Sequence, residues 1–149
     1  MSFKLWLELA QPVSLQQVQQ ILSHSGPIST HEVRVDFLQQ AAKQGRMISF
    51  DPQFPVSNIG RRIQGYDMTR VLQMINVIFQ TLGIPQVQNL QQINRQSIAT
   101  YSQRIIQMLP PIIVSIMPDE SYHLSDGNHR IGIAHVLGLQ TLKAFEIQP

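Results

Sequence analysis

Apolar and polar positions alternate at the start of the chain, where Phe3, Leu5, Leu7 and Leu9 are separated by Lys4, Trp6 and Glu8. A period of two predicts a half-buried strand, which Pro12 ends. The period then lengthens. Ser14-Leu15-Gln16-Gln17 has the form of a capping box, in which the serine oxygen serves the first turn and the glutamine reaches back, so a short helix is expected to about Ser23, stopped by Gly26-Pro27. The arrangement recurs at Ser29 to Glu32, ahead of Val33, Phe37, Leu38 and Ala41, whose spacing puts them on one helical face as far as Gly45. From Arg46 to Tyr66 the periodicity lapses. Pro52, Pro55, Gly60 and Gly65 predict a long loop there, holding a short strand at Met47 to Phe50, and loops of that length usually carry function or motion.

Asp67 caps the next helix, whose Met68, Val71, Leu72, Ile75, Ile78, Phe79 and Leu82 share one face before Gly83 and Pro85 stop it. Asn89 and Gln92 are expected to open a further helix running through Ile93, Tyr101 and Ile105 to Leu109, where Pro110-Pro111 ends it. The remaining residues read differently. Pro111 to Met117 is a continuous β-branched apolar run and Ser121 to Leu124 a second short strand, with Pro118-Asp119-Glu120 as the turn of a hairpin. Gly127 to Leu137 then carries Ile131, Ala134 and Leu137 on one helical face, Gly138 ends it, and a last strand runs from about Leu142 to Ile147.

These elements predict one α+β domain over residues 1–149: a small mixed sheet, built from the C-terminal strands and joined by the first strand, packed by several helices. Residues 1–109 read as mainly helical and 110–149 as a strand-strand-helix-strand unit. The long helices from Asp67 to Leu109 either cover the sheet or form a helical subdomain.

Composition narrows this. Of 149 residues 43% are apolar and only 13% charged, so a buried core is expected and charge-driven disorder is not. The missing charge is replaced by amide: 21 glutamines are spread along the chain without forming a tract, which reads as solvated helix surface. No cysteine is present, which excludes a disulfide framework, a thiolate nucleophile and a cysteine zinc site. The net charge is +2, unevenly placed: from Arg34 to Arg104 there are eight basic and three acidic residues, whereas Pro110 to Pro149 has two basic and four acidic, so the middle of the chain is where phosphate would be met. No signal-peptide pattern and no long apolar run occur, which points to the cytoplasm and away from a membrane.

The candidate chemistry lies at Ser125-Asp126-Gly127-Asn128-His129-Arg130, where a strand hands over to a helix. The first turn of a helix leaves backbone N–H groups unpaired and carries a positive partial charge, so an anion placed there gains hydrogen bonds and a favourable dipole. Gly127 permits close approach, Arg130 offers a planar fork for phosphate or carboxylate oxygens, His129 exchanges protons near neutral pH, and Asp126 orders the loop or meets a metal. The plainer reading is a turn, since Asp-Gly is a common turn pair and Asn128 a common cap.

The stretch PPIIVSIMPDESYHLSDGNHRIGIAHVLGLQTLKAFEI, Pro110 to Ile147, resembles the ParB-like and sulfiredoxin-like superfamily over about a quarter of the chain. The matching features are the Pro-Pro-Ile-Ile-Val strand, Tyr122-His123-Leu124, Asp126-Gly127-Asn128-His129-Arg130, Ala134, Leu137-Gly138 and the closing strand. The resemblance implies a loop that holds nucleotide phosphates through Ser125, Gly127, Asn128, His129 and Arg130, with ATP or another nucleotide and Mg²⁺ as cofactors. It further implies Mg²⁺-dependent phosphoryl transfer or phosphodiester hydrolysis, with Asp126, His129 and Arg130 as the catalytic candidates. Two departures limit it. Sulfiredoxins have their catalytic cysteine where Asn128 stands, so sulfinic acid reduction is excluded. Chromosome-partitioning proteins carry a Gly-Glu-Arg-Arg type box and a following helix-turn-helix domain, so a full partitioning protein is not expected. Arg61-Arg62 faintly resembles the arginine segment that precedes the loop in those proteins.

Other residues have simpler explanations. His123, Asp126 and His129 are evenly spaced, but a strand position and a helix start do not share a face, so a protein-held metal is not expected. His135 reads as structural, Glu32 as a cap rather than a general base, and Met68, Met74 and Met108 as core filling. Arg61, Arg62 and Arg70 are the candidate nucleic-acid contacts. The alternative to a nucleotide-binding enzyme is thus a non-catalytic module that binds DNA or protein through the basic middle and keeps the loop as a turn.

Overall fold

The computed structural model of the chain describes residues 10–24, 33–59 and 67–149. Within them a five-stranded mixed sheet carries helices on both faces, an α+β arrangement. In chain order the elements are β1 (Gln11–Pro12), α1 (Leu15–Ser23), α2 (Val35–Lys43), β2 (Ile48–Pro55), α3 (Met68–Leu82), α4 (Arg95–Ile98), α5 (Ser102–Met108), β3 (Ile112–Ile116), β4 (Tyr122–Asp126), α6 (Asn128–Leu137) and β5 (Thr141–Ile147). The strand order is β1-β2-β5-β3-β4, and only the β3–β5 pair is parallel.

The caps predicted for α1 and α3 are present. Ser14 Oγ accepts from the Gln17 amide at 3.2 Å while the Ser14 amide donates to Gln17 Oε1 at 2.8 Å, the reciprocal pair of a capping box. Asp67 Oδ1 accepts from the Thr69 amide at 2.9 Å, and α3 ends at Gly83 with φ +74°, the left-handed conformation that glycine adopts without steric cost. The hairpin, α6 and the final strand also form as expected.

Three expectations need correction. The segment from Arg46 onward is not a loop with a fragment of strand: β2 runs for eight residues, and its prolines are tolerated because the register slips between Asp51 and Phe54, so Pro52 sits in a bulge where no ladder donor is required. The helix expected from Asn89 to Leu109 is broken into short pieces, because Asn89 and Asn94 each act as an N-cap and the chain at Ile93 and Asn94 is extended. The described residues up to 109 are mainly helical, but they also supply β2 to the sheet, which is expected to draw on the C-terminal strands and the first strand. The predicted first strand, the Ser29–Glu32 box and Arg61-Arg62 lie outside the described residues.

Alternation along β5 divides the core. Leu142 and Ala144 face α3, α5 and α6 together with Phe54, Ile112 and Val114, whereas Phe145 and Ile147 face α1 and α2 together with Ile48 and Ile113. The chain from Asp67 to Leu109 thus covers one face of the sheet. No described helix is long and apolar enough to cross a membrane.

Candidate functional site

The predicted junction lies at the end of β4, where the register with β3 slips between Ile113 and Val114. Ile113 pairs with Asp126 and Val114 with Leu124, so Ser125 is the extra residue of a bulge. The bulge aims both neighbours at the α2 side. Ser125 Oγ meets Ser115 Oγ at 2.8 Å and borders a groove beneath α2, while Asp126 Oδ2 accepts from the Arg34 amide at 2.7 Å. Ser125 therefore does not point at the first turn of α6, where the sequence places it.

Gly127 is the N-cap of α6 and has φ +123°, a region that side chains disfavour. A β-carbon there would also stand 2.5 Å from Ile112 Cγ2, so glycine is required twice over. Among the described residues no side chain caps this helix, and its first intrahelical bond is donated by Ile131 to Gly127 O at 2.9 Å. The first-turn amides that precede Ile131 find no carbonyl within the helix. Asn128 is exposed at this end and His129 half-buried.

Arg130 departs most from expectation. Its residue is 2% exposed, Nη1 donates to Pro111 O at 2.9 Å, and Nη2 meets Asp126 Oδ2 at 3.1 Å. Burial presses its pKa down and the Asp126 carboxylate opposes that shift. The guanidinium is a brace that ties the start of β3 to the junction, not an outward fork. Asp126 is correspondingly the loop-ordering group: a single oxygen serves both Arg130 and the backbone entering α2.

Arg70, on the first turn of α3, comes closer to the expected role. The His129 pKa lies below its usual value, first through burial, then through the positive charge of Arg70, while Asp67 pulls the other way. The imidazole is thus neutral at pH 7, with an arginine and an uncapped helix start beside it. Sequence reasoning misses this pairing of α3 with α6, although the Asp67 cap three residues before Arg70 marks where α3 begins.

The rest of the basic middle does not form one band. Arg34 pairs with Asp36 at 2.9 Å and lies 4.4 Å above the Phe37 ring centroid, Arg46 donates to Gln148 O, and Arg95 donates through Nε to Val136 O at 3.0 Å and also to His135 O, satisfying the C-terminal carbonyls of α6. Arg61 and Arg62 lie outside the described residues. Among those residues no group of three His, Asp or Glu side chains converges as a metal site, so His123, Asp126 and His129 do not form one. Comparison with protein-family models, curated proteins and solved structures finds no match.

Proposed function

We propose that the chain is a phosphate- or nucleotide-binding domain of ParB-like character, in which the anion sits on the uncapped first turn of α6. One observation carries the reading: among the described residues α6, like α2 and unlike α1 and α3 with Ser14 and Asp67, has no side-chain cap at its N-terminus, and it alone begins behind a position that only glycine can hold. In this reading the amides of the first turn and Arg70 receive phosphate oxygens, neutral His129 donates to or accepts from the ligand, and Arg130 with Asp126 keeps the turn rigid. Phosphoryl transfer or phosphodiester hydrolysis with nucleotide-borne Mg²⁺ is the chemistry that such a site suits, and the cysteine-free chain fits a cytoplasmic setting. The alternative is a non-catalytic module that binds DNA or protein through the basic middle.

Thermal unfolding with ATP, ADP, CTP or inorganic phosphate, each with and without Mg²⁺, tests it. The informative variant is Asn128→Asp, because a first-turn carboxylate suits the helix dipole yet repels a bound anion. A nucleotide should raise the wild-type melting temperature and lose most of that effect in the variant, with the His129 pKa rising toward or above its usual value when phosphate binds. Equal shifts in both proteins would remove the ligand from this turn. If only DNA stabilises the chain, with a steep salt dependence, the alternative stands instead.

A further inference from the structure

On the face of the sheet opposite α6, a cavity of about 290 Å³ opens between α2 and the β3–β4 hairpin. Its polar wall is made by Gln40, Gln44, Arg46, Ser115, His123 and Ser125, and its apolar surface by Phe37, Ala41 and Ile147. The two serine hydroxyls bond each other, and Arg46 is fixed at the rim by its Nε bond to Gln148 O at 2.8 Å. Among the described residues the Gln40 and Gln44 amides, the His123 imidazole and both Nη groups of Arg46 take no protein partner. Four uncommitted hydrogen-bonding groups thus border one hollow that also offers an aromatic ring. Among the described residues the lining contains a guanidinium and an imidazole and no carboxylate. Arg34, lying over Phe37, adds positive charge nearby, in part offset by Asp36.

We propose that this groove is a binding site for a small organic anion with a flat apolar body, the charged end on Arg46 and the body against Phe37 and Ile147. The volume lies at the lower end of what small-molecule pockets span, which restricts the occupant to roughly one ring and its acidic group. Carboxylate and phosphate ends satisfy the same donors, since a guanidinium presents parallel N–H groups to either. The site is distinct from the first turn of α6: Ser125 points into the groove and takes no part in the helix start.

The test is a titration followed by amide resonances, using benzoate and phenyl phosphate as probes, benzyl alcohol as the uncharged body and acetate as the charge without a body. Benzoate or phenyl phosphate should shift the Ser115, His123 and Ser125 amides saturably and more tightly than either control. Arg46→Gln should weaken binding by about tenfold, the usual scale for one charge-assisted contact. Gln40→Trp, made at an exposed position on α2, should fill the groove and abolish binding even if the arginine variant folds poorly. Asn128→Asp should leave it unchanged. The proposal is overturned if these amides do not move, if benzyl alcohol binds as tightly as benzoate, or if Asn128→Asp weakens the probes as much as Arg46→Gln does. Should phosphate fail to engage the α6 turn while benzoate still saturates the groove, the reading of the turn falls and this one stands.

Discussion

Gly127 and Glu146 show how much a single position decides. A methyl group at Gly127 meets Ile112 and demands a strained φ at the same time, so Gly127→Ala should lower stability by about 2 to 4 kcal/mol, read by urea denaturation. A result within experimental error of wild type would mean that the junction can shift without loss. Glu146 is 3% exposed on the face shared with Asp51 and lies in register with Ser49, whose buried Oγ has no hydrogen-bond partner. Burial, then the Asp51 charge, raises its pKa from 4.5 to about 7. The folded state therefore holds that proton more tightly than the unfolded chain does, and the contribution of Glu146 to stability is complete below pH 4.5 and lost as the pH rises to about 7. Lys143 works in the other direction, since burial lowers it from 10.5 to about 8, so its cost is felt below pH 8 and disappears as the pH climbs toward 10.5. Glu146→Gln should accordingly match wild type near pH 5 and exceed it by about 1 to 2 kcal/mol at pH 8, after allowance for solvent screening. Parallel pH–stability curves for the two proteins would show that the carboxyl is not held in this environment.

Among the elements, the β4–α6 junction is held by Asp126, which joins the entry to α2 with the buried Arg130 and, through it, Pro111 at the start of β3. Asp126→Ala leaves a guanidinium inside the protein without its counter-charge, and about 3 to 5 kcal/mol of stability should be lost. Adding Arg130→Met should recover a good part of that, because an apolar side chain of similar length needs no partner there; a double variant no better than the single one would deny the ion pair its role. The location of this junction is legible in the sequence, because Asp-Gly followed by helical spacing marks a strand-to-helix turn. The direction of Arg130 is not. Helix α6 buries Arg130, Ile131, Gly132, Ile133, Ala134 and Leu137, so it lacks the one-sided stripe from which an inward position could be told from an outward one. Helix α3 is legible in its bounds and most of its buried face, since Asp67 and Gly83 mark both of its ends, but Met68, expected to fill the core, lies exposed on the first turn. Strand β2 is hidden by its prolines, which argue against a strand until the bulge that accommodates Pro52 is known. The groove under α2 is also invisible in sequence, because its two walls come from segments far apart along the chain.

For the whole molecule, the arrangement of the sheet makes the two cores interdependent. Strand β5 contributes Leu142 and Ala144 to one and Phe145 and Ile147 to the other, and β3 divides Ile112 and Val114 from Ile113 in the same way. Unfolding should thus be a single transition: amides of α1 and of α3, on opposite faces, are expected to lose protection at the same urea concentration. Two separate midpoints would show that the faces are independent units. The central place of β5, between β2 and β3, also has a bearing on the ribosome. Both neighbours emerge before the strand that joins them, β2 by more than half the length of the chain, and each waits with an open edge and an apolar face until β5 arrives. The nascent chain is thereby most in need of a chaperone in the interval just before the domain is complete, and the sheet closes only after its last strand clears the exit tunnel.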